Sequence, residues 1–184
     1  MKYTALFKGI NVGGKNVVKM DALKQLFLDL GMQKVKTYIQ SGNVVFETPI
    51  EEASLRKIIQ TGFAERFGFE SDVMLRNIHE IEAVLEEQPF SKEEITAAET
   101  ANPEVEHLYI HFLEQPPEQT QMDLICKDYA GPDIIRLGRR EVYLLCHQSI
   151  RTSKPAIRAA KVLPSATVRN WKTVSALYDM LKAL

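Results

Sequence analysis

The chain has 184 residues, of which 45% are hydrophobic and 26% are charged, so it can bury one core or two small ones. Its apolar runs fall far short of the roughly 18 residues that span a bilayer. The five uncharged residues between Lys2 and Lys8 are too few for a signal-peptide core. Two cysteines, Cys126 and Cys146, make no disulfide framework. These features argue against a membrane or disulfide-rich secreted protein, and predict a cytoplasmic protein without a membrane partner.

In the first half, the pattern predicts the order β-α-β-β-α-β followed by a helix. Residues 2–9 alternate, which places Tyr3, Ala5 and Phe7 on one side of a strand. Asp21 is predicted to cap the first helix, and Gly31 to end it. Further elements are predicted as strands at 35–40 and 43–47, a helix at 51–67, a strand at 70–77 and a helix at 79–88.

Residues 89–106 are polar and are interpreted as a connector that could contain one helical turn. The same order is then predicted again, without an obvious repeat of sequence. The second set comprises strands at 107–113, 133–137, 141–147 and 166–169, and helices from Pro116 through Tyr129, at 154–163 and at 171–184. The expected fold is α+β, with two tandem ferredoxin-like (βαββαβ) subdomains at 1–88 and 107–184, each with an antiparallel sheet.

The net charge of −1 hides an uneven distribution along the chain. Residues 1–46 carry seven Lys or Arg and two acidic residues, and residues 133–172 carry nine and two. Residues 47–125 between them carry five basic and eighteen acidic residues. The acidic middle is interpreted as a solvated face, whereas the two basic segments could meet and attract an anion.

The loop after the first strand reads KGINVGGKN and has the G-x-x-x-x-G-K spacing of a phosphate-binding P-loop, from Gly9 to Lys15. Asn16 stands where a P-loop needs a hydroxyl for magnesium, and the predicted helix begins several residues too late. We therefore expect no magnesium-dependent ATP hydrolysis. Two interpretations remain: a structural glycine turn, or an anion site made of loop amides with Lys8 and Lys15.

Three motifs resemble a bacterial family known only as domain of unknown function 1697. They are GINVGGK at 9–15, where Lys8 replaces the usual Arg; TYIQSGNVVF at 37–46; and T-x-R-N-W-x-T at 167–173. The resemblance implies two linked α+β subdomains and no particular activity. Because lysine lacks the planar fork of arginine, position 8 is not suited to bidentate recognition of a carboxylate or phosphate.

In the second half, the start of the helix at Ser153 and Lys154 is flanked by basic residues, which is typical of an anion site or of a solvated helix face. We therefore predict an anion-binding cleft between the subdomains. Its nine residues are Lys8, Asn11, Gly13, Gly14, Lys15, Ser153, Lys154, Arg169 and Asn170. Asn170 could also cap the last helix, and Trp171 either anchors that helix or stacks on a ligand base.

Histidines suggest a second type of site. His107, Tyr109 and His111 share one face of a strand, and Tyr143, Leu145 and His147 are predicted to lie on the same face of its neighbour. No cysteine or carboxylate completes a metal site, because Cys146 is predicted to point the other way. We therefore expect neither metal nor other cofactor.

Three functions are compatible with the sequence. The favoured one is a non-enzymatic module that binds an anionic, phosphate-bearing or nucleotide-like ligand, because no acid, base or nucleophile stands out. The second is an enzyme acting on such a substrate. The third, RNA binding, is disfavoured because the residues predicted to face outward from the first sheet lack stacking aromatics; these residues are Leu6, Lys8, Asn43 and Val45.

Overall fold

The computed structural model describes all 184 residues, which form two compact units. Unit 1 comprises Met1–Ala83 with Val174–Leu184, and unit 2 comprises Val84–Thr173. The last helix, which the sequence analysis assigns to the second subdomain, thus contributes its C-terminal part to unit 1. None of the helices combines the length and apolar character needed to cross a membrane.

Unit 1 is built on a four-stranded antiparallel sheet with the strand order β2-β3-β1-β4. The chain reaches β4 through the predicted β-α-β-β-α-β order and continues into a third helix. The elements are β1 (Lys2–Phe7), α1 (Met20–Asp29), β2 (Gln33–Tyr38), β3 (Asn43–Glu47), α2 (Glu52–Phe67), β4 (Val73–Asn77) and α3 (Ile78–Glu86).

Unit 2 repeats this arrangement with the antiparallel strand order β6-β7-β5-β8. An additional helix, α4, precedes its first strand. The elements are α4 (Lys92–Ala101), β5 (Leu108–Phe112), α5 (Gln119–Cys126), β6 (Ile134–Leu137), β7 (Glu141–Leu145), α6 (Lys154–Val162), β8 (Thr167–Asn170) and the first turn of α7 (Trp171–Lys182), whose remainder belongs to unit 1. The predicted α+β class with two βαββαβ units is confirmed.

Two local predictions need correction. Helix α1 begins at Met20, and its N-cap is Lys19, which makes no side-chain cap bond. Asp21 lies in the first turn, where its negative charge suits the helix dipole but caps nothing. Helix α4 is a full ten residues long within the predicted connector. A reciprocal capping box between Ser91 and Glu94 starts it, a signal that is visible in the sequence.

The core of unit 1 lies between its sheet and the helices α1 and α2. As predicted, Tyr3, Ala5 and Phe7 are buried on one face of β1. The ring of Phe7 stacks on Phe63 of α2, with centroids 4.8 Å apart. Apolar residues at helical spacing supply the rest of this core from α1 and α2; they are Leu23, Leu26, Phe27, Leu55 and Ile59.

The other face of this sheet is buried too, which differs from the sequence prediction. Leu6, Asn43 and Val45 have no exposed surface, and Lys8 is half-buried. RNA-recognition sheets read bases with an open face that carries stacking aromatics. Because this face is neither open nor aromatic, it does not provide such a platform.

Each unit ends its sheet with the same pair of residues, Arg-Asn, immediately before a helix. In unit 1, the guanidinium of Arg76 is buried and donates to the carbonyl of Leu75 at 2.8 Å. In unit 2, that of Arg169 is also buried and donates to the carbonyl of Val168 at 2.8 Å. The sequence analysis missed this repeat because two residues are too few to stand out without the strand alignment.

Candidate functional site

The Gly9–Lys15 loop folds as a tight two-residue hairpin. The amide of Lys15 donates to the carbonyl of Val12 at 3.1 Å, which closes a turn over Gly13 and Gly14. Both glycines have positive φ, 58° and 75° respectively. Positive φ at both central residues defines a type I′ turn, which strongly favours glycine and asparagine. The glycine pair is therefore required by the backbone of this turn.

Asn11 holds the hairpin in place. Its amide nitrogen donates to the carbonyls of Val18 at 2.9 Å and Gln40 at 2.8 Å, and its oxygen accepts from the amide of Val18 at 2.8 Å. Both amide hydrogens are therefore committed to the protein backbone. Asn11, predicted as an anion contact, supports the loop and has no donor left for a ligand.

The loop geometry differs from that of a P-loop. A P-loop passes directly from strand to helix, so that helix amides face the phosphates. Here a hairpin intervenes, and α1 begins only at Met20. The side chain of Asn16 donates to the carbonyl of Gly9 at 3.2 Å and so closes the base of the loop. The G-x-x-x-x-G-K spacing therefore arises from the glycine turn, and it does not indicate a nucleotide-binding loop followed by a helix.

The tip of the hairpin is open to solvent. Gly13, Gly14 and Lys15 are exposed, and no atom lies within 4 Å of the position that a Cβ would take on either glycine. The amides of Gly13 and Gly14 have no hydrogen-bond partner in the structure. The tip therefore presents two backbone donors beside one ammonium group, and such groups can bind an anion.

Lys8 stands at the base of this loop and is closely tied to the chain preceding β4. Its amide donates to the carbonyl of Asp72 at 2.9 Å, and its carbonyl accepts from the hydroxyl of Ser71 at 2.8 Å. Ser71 and Asp72 line a cavity of about 630 Å³ in unit 1 that also contains Glu65 and Glu70. Its three carboxylates disfavour an anion there.

Three of the four predicted residues in unit 2 have structural roles. The Ser153 hydroxyl accepts from the amide of Ala156 at 3.3 Å and caps α6, while Asn170 Oδ1 accepts from Thr173 at 2.9 Å and caps α7. Arg169 donates to Thr167 Oγ1 at 2.9 Å, and burial lowers its pKa to about 10, so it stays charged at neutral pH. Lys154 alone is exposed.

The histidines are arranged differently from the prediction, because the strand register is shifted by one residue. His111 pairs with Val142, and Ile110 pairs with Tyr143. Such a shift moves every side chain of one strand to the opposite face relative to its neighbour. Tyr143, Leu145 and His147 therefore do not share a face with His111.

The predicted place of Cys146 is wrong for the same reason. Cys146 lies opposite His107, whose Nδ1 is 2.6 Å from the Cys146 carbonyl. No group of three or more His, Cys, Asp or Glu side chains is arranged to hold a metal. Burial raises the pKa of the Cys146 thiol to about 12, and burial likewise raises the pKa of Cys126. Neither thiol is therefore an activated nucleophile at neutral pH.

Unit 2 contains a cavity of about 560 Å³ that the sequence analysis did not find. This volume falls within the range of small-molecule sites. The cross-strand pair Leu108 and Leu145 lines it from the sheet, and α4 contributes Ile95 and, one turn later, Glu99. Further lining comes from Gln88, Pro103, Val105, Glu106, His107 and Trp171.

His107 and Trp171 both line this cavity. The sequence could not predict that they lie in one site, because 63 intervening residues separate them. His107 is only 8% exposed. Since its Nδ1 contacts a carbonyl, it is Nδ1 that carries the proton in the neutral ring. Nε2 is then an acceptor, and it has no hydrogen-bond partner. Trp171 is half-buried at the start of α7.

Comparison with known proteins identifies the family. A family model described as a protein of unknown function (DUF1697) matches residues 1–143. The chain belongs to this family. The match ends before the third motif, at 167–173. No curated protein matches the chain.

A solved structure supports the fold over the whole length. The conserved bacterial protein SP0830 from Streptococcus pneumoniae is 26% identical, with 98% of both chains covered and a TM-score of 0.75. The βαββαβ pair of this DUF1697 protein is therefore shared with a relative of low sequence identity. Neither the family description nor that of SP0830 names an activity or a ligand, so function has to be argued from the site.

Proposed function

We propose that this protein is a non-enzymatic binding module for a small anionic, phosphate-bearing ligand, and that the tip of the Gly13-Gly14 hairpin contacts it. The observation that carries the proposal is the pair of exposed glycine amides without hydrogen-bond partners beside the exposed Lys15. Successive backbone amides bind anions without side-chain help, and an ammonium group adds a charge-assisted bond. Because the two cysteines form no disulfide, we expect this activity in the cytoplasm.

The structural roles of the other predicted residues narrow the proposal. Asn11 braces the hairpin, and Ser153, Asn170 and the buried Arg169 are committed to their own elements. Lys8 in unit 1 and Lys154 in unit 2 remain as additional cations. Neither cysteine is an activated nucleophile, so no thiol supports the enzymatic alternative. For this reason a non-enzymatic binding module is the better proposal.

Calorimetry at low salt tests the proposal, with inorganic phosphate, pyrophosphate and ADP as probes. A charge-assisted hydrogen bond contributes about 1.5–3 kcal/mol, so Lys15→Ala should weaken binding about tenfold or more. Lys24→Ala is the matched control, because Lys24 is exposed on α1 outside the hairpin. Equal loss in both variants would indicate a diffuse charge effect and contradict a hairpin site.

The enzymatic alternative is separated by a second measurement. Any probe that binds is incubated with the protein, and product formation is followed by chromatography. Binding without turnover supports the module. Turnover that is lost in Lys15→Ala would show that the hairpin belongs to an active site and would overturn the non-enzymatic assignment.

A further inference from the structure

The cavity of unit 2 has a chemical character opposite to that of the hairpin. Its apolar wall joins Leu108 and Leu145 of the sheet with Ile95 of α4. Its charged groups are the carboxylates of Glu99 and Glu106, with no lysine or arginine among the residues that line it. A ligand that fills this space must therefore combine an apolar body with a group that carboxylates attract.

We propose that this cavity binds a small organic cation, an amine with an apolar or aromatic body. The site lies within unit 2, and the proposal does not depend on anion binding at the hairpin. The apolar body would pack on Leu108 and Leu145, and the ammonium group would lie toward Glu99 and Glu106. Pockets of this size commonly combine apolar walls with a few polar groups that orient the ligand.

Trp171 strengthens the preference for a cation. It is the chain's only tryptophan and lines the cavity beside Glu106 and His107. Tryptophan is the best of the aromatic side chains at attracting a cation to its ring face. The ring of His107, which also lines the cavity, offers no donor to an anion, because its Nδ1 is engaged with the Cys146 carbonyl and its Nε2 is a buried acceptor.

Neither carboxylate has a strong ion-pair partner within the protein. Glu99 is exposed and forms no ion pair, and Glu106 lies 3.6 Å from Lys172, whose side chain is 81% exposed. Exposed pairs of this kind contribute little to stability, so a ligand amine can replace Lys172 at Glu106 at small cost. The strongly acidic composition of residues 47–125 adds a long-range attraction for cations.

Fluorescence of Trp171 provides the test, since no other tryptophan contributes to the signal. The full chain is titrated at low salt with phenethylamine, 2-phenylethanol and 3-phenylpropionate, which share a phenyl ring and differ in charge. We expect phenethylamine to bind at least fivefold more tightly than the alcohol, and the carboxylate to bind most weakly. Calorimetry with the same three compounds covers the case in which binding leaves the fluorescence unchanged.

Variants then locate the site. Glu99→Gln and Glu106→Gln should each weaken phenethylamine binding severalfold and leave binding of 2-phenylethanol unchanged. Glu104→Gln is the matched control, since Glu104 is an exposed acid of the same segment that does not line the cavity. Equal affinity for the amine and the alcohol, equal effects of all three substitutions, or no binding of phenethylamine by either method would each overturn the proposal.

Discussion

β4 in unit 1 and β8 in unit 2 both end in Arg-Asn immediately before a helix. In both units the asparagine pairs with a tyrosine, Tyr3 or Tyr109, whereas the residues opposite the arginines differ. Arg76 pairs with Thr4 on β1, whereas Arg169 pairs with Ile110 on β5. Each buried guanidinium donates to the carbonyl of the preceding residue. The units therefore share a way of ending the sheet, while their core side chains were free to diverge.

The candidate sites lie where the units differ. Unit 1 connects β1 to α1 through the glycine hairpin, whereas unit 2 connects β5 to α5 through a short segment that includes Pro116 and Pro117. Unit 2 instead carries α4 and the cavity beside it. Connections tolerate change more readily than packed elements and therefore tend to carry function. The βαββαβ elements that the two units share are thus a poor guide to function. The segments that only one unit has, the glycine hairpin and α4, are a better guide.

Replacing the two buried arginines gives the strongest test of the shared framework. Arg76→Met and Arg169→Met each remove a charged donor from a buried position, so we expect each to lower the free energy of unfolding by about 3 kcal/mol. Urea unfolding measures this. Arg66→Met is the control, because Arg66 pairs with Asp29 at the surface and should cost less than about 1 kcal/mol. A large loss at only one of the buried sites would show that they are not equivalent.

His111 separates the two units by its response to pH, since Ala5 occupies the corresponding place on β1. Burial lowers the pKa of His111 to about 4, from about 6.5 for an unperturbed histidine. The unfolded chain therefore binds a proton that the folded chain does not. The stabilisation is fully present above about pH 6.5 and is progressively lost as the pH falls toward 4.

At pH 4.5 this loss should reach about 2–3 kcal/mol relative to pH 7.5. Urea unfolding of the wild type and of His111→Leu at both pH values isolates the effect, because only the difference between their pH dependences is compared. His79→Leu, at an exposed position, should follow the wild type. An unchanged pH dependence in His111→Leu would contradict the assignment.

The two asparagines test the same framework at smaller cost. Asn77 accepts from Glu80 at 3.0 Å at the start of α3, as Asn170 does from Thr173 at the start of α7. Losing an N-cap costs about 1 kcal/mol, so Asn77→Ala and Asn170→Ala should each shift the urea midpoint modestly. The serine variants, which keep a cap, should recover most of the loss. Failure of serine to recover it would mean that the asparagines act through other contacts.

Sequence patterns predicted the order of elements in both units because strand alternation and helical spacing are local signals. They failed where tertiary structure decides. Leu6 and Val45 are apolar on the face taken as exposed, and this was a sign that both faces of the sheet are covered. No turn joins β5 directly to β7, so their register is set by packing between distant segments, and the shared face of the histidines could not be derived from alternation alone.

The two candidate sites also differ in how far the sequence could predict them. The Gly13-Gly14 turn could be expected from a short motif, because its backbone conformation requires those residues. The cavity could not, because α4, β5 and Trp171 converge only after folding. The one signal that was available, the Ser91–Glu94 capping box, would have predicted α4 and hence a helix in the supposed connector.

The smallest expected effect concerns the hairpin, the feature that most distinguishes unit 1. Gly13→Ala should cost about 1 kcal/mol from positive φ alone, since nothing lies within 4 Å of the added Cβ. Gly13→Asn should cost only a few tenths, because asparagine tolerates this turn. Gly42→Ala should cost more than either, because its Cβ would lie 2.6 Å from Ile10 Cδ1.

For a chain of this length, 1 kcal/mol corresponds to about 2–4 °C in the melting temperature, so thermal unfolding at neutral pH resolves the three variants. An open type I′ turn requires that Gly13→Asn be the least destabilising, Gly13→Ala intermediate and Gly42→Ala the most destabilising. If Gly13→Asn were as harmful as Gly13→Ala, the added side chain would be crowded at the tip, and the hairpin would not be the solvent-exposed donor pair that the proposed anion site requires.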